Sequence, residues 1–183
     1  GNYMKQKGTL KKNTIVATVM SNLGMFLMGE REGIHIEKTK VGDRYVLENM
    51  LENGYNIGGE QSGHIIFLDE NTTGDGLLSA LHLLQVMTET KKKLSELASI
   101  MEVLPQALVN AKVPNHKKEH FEEYAEIAEA IAEVEAKFAG EGRVLIRPSG
   151  TEPLVRVMIE GKDQQLIESE AQKLAELISS IML

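Results

Sequence analysis

The run Thr14–Met20, TIVATVM, is β-branched and apolar almost throughout, and it constrains the fold of this chain more than any other segment. A strand that is apolar on both faces needs cover on both, and helices flanking a sheet supply it. The neighbouring pattern provides such helices. Ser21 or Asn22 is placed to cap a short segment, LGMFLMGE, which Gly29 and Gly33 would end. Ile34–Thr39 alternates like a strand with one wet face, and Arg44–Glu52 sets Val46, Leu47, Met50 and Leu51 on one helical face before Gly54. Ile65–Leu68 reads as a short strand, and Asp75 as the cap of a helix whose Leu77, Leu81, Leu84 and Met87 form a core-facing stripe. The βαβα order predicts a mixed sheet flanked by helices, an α/β/α sandwich. Only an amphipathic scrap, Tyr3–Leu10, precedes the first strand, so the sandwich is expected to be partial.

Near Glu102–Leu104 the pattern changes, which divides the chain into domains at 1–102 and 103–183. Ala107–Val113 reads as a strand, and Tyr124, Ile127, Ile131, Val134 and Phe138 step by three and four through a long acidic helix. Two close strands, Arg143–Arg147 and Leu154–Glu160, precede a helix over Asp163–Met182 that turns Ile167, Ala171, Leu174, Ile178 and Ile181 inward. This order predicts a small α+β domain with an antiparallel sheet covered by helices.

The net charge of −7, the absence of Trp and only four Phe and four Tyr argue against nucleic-acid binding. With no cysteine, a disulfide framework and a thiolate zinc site are excluded. No apolar run approaches the ~20 residues of a membrane span, so the expected setting is cytoplasmic with no membrane partner. His116 and His120 lack a metal-ligand pattern, and the acidic stretch Glu119–Glu135 reads as a solvated helix face. Asp69, Asn71, Thr73 and Gly74 echo a calcium-binding loop, but its twelfth position is Ala80, where a bidentate carboxylate is required. No metal site is read in this chain.

Two loops carry the chemistry. In RPSGTEP, Arg147 offers a planar fork of donors, Ser149 and Thr151 add hydroxyls, and Gly150 lets backbone N–H groups approach an anion. A polar hairpin turn would account for Pro148 and Gly150 alone. An arginine at the end of an apolar strand, hydroxyls on both sides of the glycine and the length of the turn favour a tetrahedral phosphate. In GGEQSGH, Gly58, Gly59 and Gly63 suit backbone bends. Glu60 is placed to accept from vicinal hydroxyls while Ser62 and His64 donate, the mixture a sugar ring needs. In VGDR, Asp43 reads mainly as a helix cap with Arg44 in solvent.

The segments GGEQSGH, TTGDGLLSALHLLQVM and RPSGTEPLVRVMIEG, in that order, resemble the α-D-phosphohexomutases across nearly the whole chain. The resemblance implies a four-domain enzyme of which this chain is most of the third domain and all of the fourth. It implies sugar contacts from Glu60 and Ser62, with Gly59 and His64 in the same loop and Gly42 and Asp43 in a further substrate loop. Arg147, Ser149, Gly150 and Thr151 would bind the phosphate that is not being transferred. The implied reaction interconverts glucosamine 6-phosphate and glucosamine 1-phosphate through a phosphoserine, with glucosamine 1,6-bisphosphate as intermediate and activator and Mg2+ as cofactor.

The carrier serine and the three-aspartate magnesium loop of that family have no counterpart in these 183 residues. The chain is therefore expected to be a C-terminal fragment, inactive alone, partnered by the missing N-terminal domains and by a phosphorylated hexosamine; the resemblance also admits a homodimer of the intact enzyme. Glucose or mannose phosphates as substrates, and a non-catalytic phosphosugar-binding module, are the alternatives.

Overall fold

A computed structural model describes residues 1–138 and 140–183. These form two compact units, Gly1–Val103 and Leu104–Leu183. In the first, the TIVAT run becomes β1 (Thr14–Thr18), buried at every position. It pairs in parallel with β2 (His35–Thr39) on one side and β3 (Ile57–Gly59) on the other, and β4 (Ile65–Phe67) adds antiparallel to β3. The sheet order is therefore β2-β1-β3-β4, and the sheet is mixed.

The period-2 geometry of β1 divides its side chains between two cores. Ile15 and Ala17 pack with Leu10, Phe26, Ile34, Ile36 and Ile57 on the face covered by α2 (Leu23–Glu32). Val16 points the other way, into Val46, Met50 and Ile66 beneath α3 (Asp43–Asn53). Full burial of an aliphatic side chain of this size contributes about 1.5–3 kcal/mol, so β1 needs both helices. Gly58 lets α3 close on the sheet, because a Cβ there would lie 2.7 Å from both Met50 Sδ and Val46 Cγ1.

Several local expectations are corrected. Asn22 caps α2 by accepting from the Gly24 N–H at 3.0 Å. Gly29 does not end α2, which runs through it to a left-handed Gly33. Asp43 does not cap α3; Gly42 holds that position, and the Asp43 carboxylate accepts from the Arg44 N–H at 2.8 Å. Leu51 is exposed on the outer side of α3.

The largest departure is α4 (Gly76–Thr90), which Asp75 does cap through the Leu78 N–H at 3.0 Å. Its expected core stripe faces outward, with Leu77 73% exposed and Leu81 and Leu84 56% exposed, while Met87 is half-buried. The helix docks instead through His82, which stacks on Phe67 with ring centroids 4.0 Å apart and meets the Glu70 carboxylate at 2.7 Å. Near its C-terminal end, Tyr3 and Lys7, from α1 (Asn2–Gln6) and just after it, converge on Glu89. A short α5 (Leu94–Ala98) completes the unit.

In the second unit, β5 (Gln106–Lys112), β6 (Gly142–Pro148) and β7 (Leu154–Gly161) form an antiparallel sheet of order β5-β7-β6. One face, with Ala107, Ala111, Val155, Val157 and Ile159, packs on α6 (Ala125–Phe138) and α7 (Gln164–Met182). Asp163 caps α7, accepting from the Leu166 N–H at 3.1 Å. The alternate positions carry the polar groups. Arg143, Arg147, Arg156 and Glu160 share the other face by register.

Candidate functional site

The first candidate loop lies at the carboxyl ends of the parallel strands, the edge at which open α/β sheets place ligands. β3 ends at Gly59 and turns back into β4 through residues 60–64. The Glu60 N–H donates to the His64 carbonyl at 2.9 Å and the Gly63 N–H to the Glu60 carbonyl at 3.1 Å, so the hairpin is closed by its own backbone. Gly63 has φ +98°, a left-handed conformation that a β-carbon would strain.

Within this loop Glu60 is the fixed group. Its Oε1 accepts from the Gly42 N–H at 2.9 Å, and Gly42 itself adopts φ +129° where β2 hands over to α3. The loops after β2 and β3 are therefore tied together by one carboxylate. Oε2 lies 3.9 Å from His64 Nδ1, within ion-pair range when the imidazole is protonated. Gly42, Gly59, Glu60 and His64 come together, with Ser62 exposed at the hairpin tip. Asp43 lies beside Gly42 with its carboxylate on the first turn of α3. The arrangement offers a held acceptor rimmed by exposed donors, which is what a hydroxylated ring requires.

The second candidate loop joins β6 to β7. Ser149 is 3% exposed; its N–H donates to the Leu154 carbonyl at 3.0 Å and its Oγ accepts from the Glu152 N–H at 3.2 Å. The hydroxyl proton of Ser149 remains to be donated elsewhere. Among the described residues, the N–H groups of Gly150 and Thr151 meet no protein acceptor and Arg147 forms no ion pair. Register sets Arg147 of β6 directly opposite Arg156 of β7, with Asn110 of β5 next in the same row. Like charges placed directly across a sheet repel, and Glu152, 3.3 Å from Arg156, is the counter-ion that the structure places beside the pair. Guanidinium groups, amides without a protein acceptor among the described residues, and a hydroxyl are the donor types that an anion requires.

Sequence reasoning missed two members of this loop's surroundings. Arg156 was legible, since a turn flanked by antiparallel strands sets residues of equal distance from it opposite one another. Lys118 was not, because KKEH reads as an exposed polar run; its ammonium is buried and donates to the Ser149 and Glu152 carbonyls. No three His, Asp or Glu side chains are grouped as a metal-binding set among the described residues. No helix among them is long and apolar enough to cross a membrane.

Residues 1–104 match the family described as phosphoglucomutase/phosphomannomutase, alpha/beta/alpha domain III, and residues 108–177 match its C-terminal domain. A phosphoglucosamine mutase of Ruminiclostridium cellulolyticum is 63% identical over 97% of this chain and 40% of its own length. That of Acetivibrio thermocellus is 64% identical with the same coverage. The chain thus spans about two fifths of the length of the curated relatives it matches. Among solved structures, an N-acetylglucosamine-phosphate mutase in its substrate complex, described as a member of the α-D-phosphohexomutase superfamily, is similar with a TM-score of 0.73. It is 25% identical and covers 90% of this chain and 38% of its own.

Proposed function

The chain belongs to the phosphoglucomutase/phosphomannomutase family, and from that premise we propose that it is the substrate-gripping C-terminal part of a phosphoglucosamine mutase. The intact enzyme would interconvert glucosamine 6-phosphate and glucosamine 1-phosphate in the cytoplasm. The observation that carries this reading is the loop at 147–156, where, among the described residues, Arg147 forms no ion pair and the Gly150 and Thr151 amides meet no protein acceptor.

The chemistry assigns each loop one job. A serine phosphate passes its phosphoryl group to the free hydroxyl of the sugar phosphate, forming a 1,6-bisphosphate, and the other phosphate then returns to the serine. Phosphoryl transfer of this kind depends chiefly on positioning and charge stabilisation. Arg147, Arg156, Ser149 and the two amides would hold the phosphate that is not in transit. Glu60 would accept from ring hydroxyls through the oxygen left free of Gly42, with Ser62 and His64 donating. Vicinal equatorial hydroxyls present similar edges in both ring orientations, so hydroxyl contacts serve the substrate before and after it turns over.

Magnesium, when bound to the intact enzyme, would neutralise charge on the transferring phosphoryl group. The described residues of this chain do not form a set that fits it, and no step here runs through the ion. The chain alone is accordingly expected to bind but not to turn over.

Calorimetric titration with glucosamine 6-phosphate, glucose 6-phosphate and mannose 6-phosphate tests the reading. Binding that is strongest for glucosamine 6-phosphate and lost in Arg147→Gln supports it. Binding that ignores Arg147 refutes the phosphate assignment, and a preference for glucose or mannose phosphate moves the chain to another branch of the family.

A further inference from the structure

Lys118 is the one buried lysine among the described residues, 9% exposed, and none of their carboxylates forms an ion pair with it. A buried ammonium without a counter-charge is costly, and proteins keep one where its hydrogen bonds or its charge are used. Here its Nζ donates to the Ser149 carbonyl and, at 3.3 Å, to the Glu152 carbonyl. These two carbonyls bracket Gly150 and Thr151.

The segment that delivers Lys118 is fixed from three directions. The Lys118 N–H donates to the Pro114 carbonyl at 3.2 Å at the start of a short 3-10 turn, Lys118–Glu123. Phe121 of that turn is buried in the domain core. The preceding Lys117 holds the Met182 carbonyl at 3.0 Å at the end of α7. A lysine on such a support reports no freedom of its own; it imposes geometry on what it grips.

We propose that Lys118 is the positioning residue of the phosphate loop, an inference that rests on the phosphate reading above. The peptide joining Ser149 to Gly150 is planar and trans, so its C=O and N–H point in opposite directions. Drawing the Ser149 carbonyl onto the Lys118 ammonium therefore turns the Gly150 N–H away from the domain interior, to the side where an anion is received. The Glu152 bond fixes the far end of the same turn. The lysine charge beneath the loop adds attraction for an anion that Arg147 and Arg156 meet from the sheet. Lys118 thus acts through the loop and need not touch the ligand.

The test compares wild type with Lys118→Met, Lys118→Gln and Arg147→Gln, using glucosamine 6-phosphate and unphosphorylated glucosamine as probes. Lys118→Met keeps the stem and removes donors and charge; Lys118→Gln keeps a donor without charge. Lys118→Met is expected to weaken glucosamine 6-phosphate binding about tenfold or more, the size of a lost charged hydrogen bond, with Lys118→Gln between it and wild type. Glucosamine affinity should not change. The gain in wild-type affinity as the phosphate becomes dianionic near pH ~6 should shrink in both variants, which a purely structural lysine would not cause. If Lys118→Met does not fold, Lys118→Gln carries the same comparison. Wild-type affinity in the Lys118 variants with loss in Arg147→Gln overturns the Lys118 role and leaves the phosphate site standing. Affinity indifferent to Arg147 as well overturns both.

Discussion

Arg143 and Arg147 lie four residues apart on the same face of β6, and the structure gives them opposite work. Arg143 Nε meets the Glu160 carboxylate at 2.6 Å, and Glu160 is fully buried. Removing that guanidinium by Arg143→Met takes the arginine partner from a carboxylate held away from water, and breaking a buried pair costs about 3–5 kcal/mol. The lower half of the range applies, because the Gln106 amide stands 3.4 Å from the other oxygen of Glu160 and offers a partial partner. About 3 kcal/mol is roughly two decades in an equilibrium constant. Among the described residues Arg147 has no such partner, and it faces Arg156, so Arg147→Met should leave stability within ~0.5 kcal/mol or raise it slightly by relieving like-charge repulsion. Because a two-unit chain need not unfold in one step, the assay is hydrogen exchange at the Val157 and Ile159 amides in the centre of β7, which reports the C-terminal unit alone. Protection should fall about a hundredfold in Arg143→Met and stay near wild type in Arg147→Met. The double variant Arg143→Met/Glu160→Met, which removes both charges, should recover most of the loss. Equal losses from the two arginines would refute the division between a structural and a binding guanidinium.

Three further outcomes follow from the same geometry. Gly58→Val would set side-chain atoms within 2.7 Å of Met50 and Val46 and should destabilise the first unit by about 1–3 kcal/mol through overpacking, read as a lowered thermal midpoint. Lys137 first, and Lys173 with it, hold the buried Glu170 carboxyl below its ordinary value of 4.5. A depressed carboxyl contributes stability above its unfolded value and loses it as pH falls through the folded one, so Lys137→Met should lower the stability of the second unit near neutrality, with the difference from wild type shrinking as pH falls through the folded value of Glu170. Glu60→Gln keeps an oxygen for the Gly42 N–H but loses the carboxylate, and should cost glucosamine 6-phosphate affinity about tenfold while the Gly42 amide resonance stays in place.

How much of this was legible in the residues depended on how local the signal was. The β1 run, the glycine stops at Gly33 and Gly54, and the aspartate cap at Asp75 act within a few residues, and each is found where its chemistry puts it. The outward Leu77, Leu81 and Leu84 show the limit of periodicity. A stripe of leucines predicts a helix with an apolar side, but which side docks is settled by contacts such as the stacking of His82 on Phe67. The same limit holds at the loops. Arg147, Ser149, Gly150 and Thr151 lie within one short stretch and are readable, whereas the tie between Glu60 and Gly42 spans two loops and that between Lys118 and Ser149 spans 31 residues. Such long-range hydrogen bonds leave no periodic trace.

The most direct test of the central claim is a titration of the isotopically labelled chain with glucosamine 6-phosphate, followed at the backbone amides. The account predicts the largest shifts at Gly150 and Thr151, whose N–H groups meet no acceptor among the described residues, and no movement there when unphosphorylated glucosamine is added. Shifts at 149–151 that are equal for both sugars, or absent for the phosphate, would contradict it.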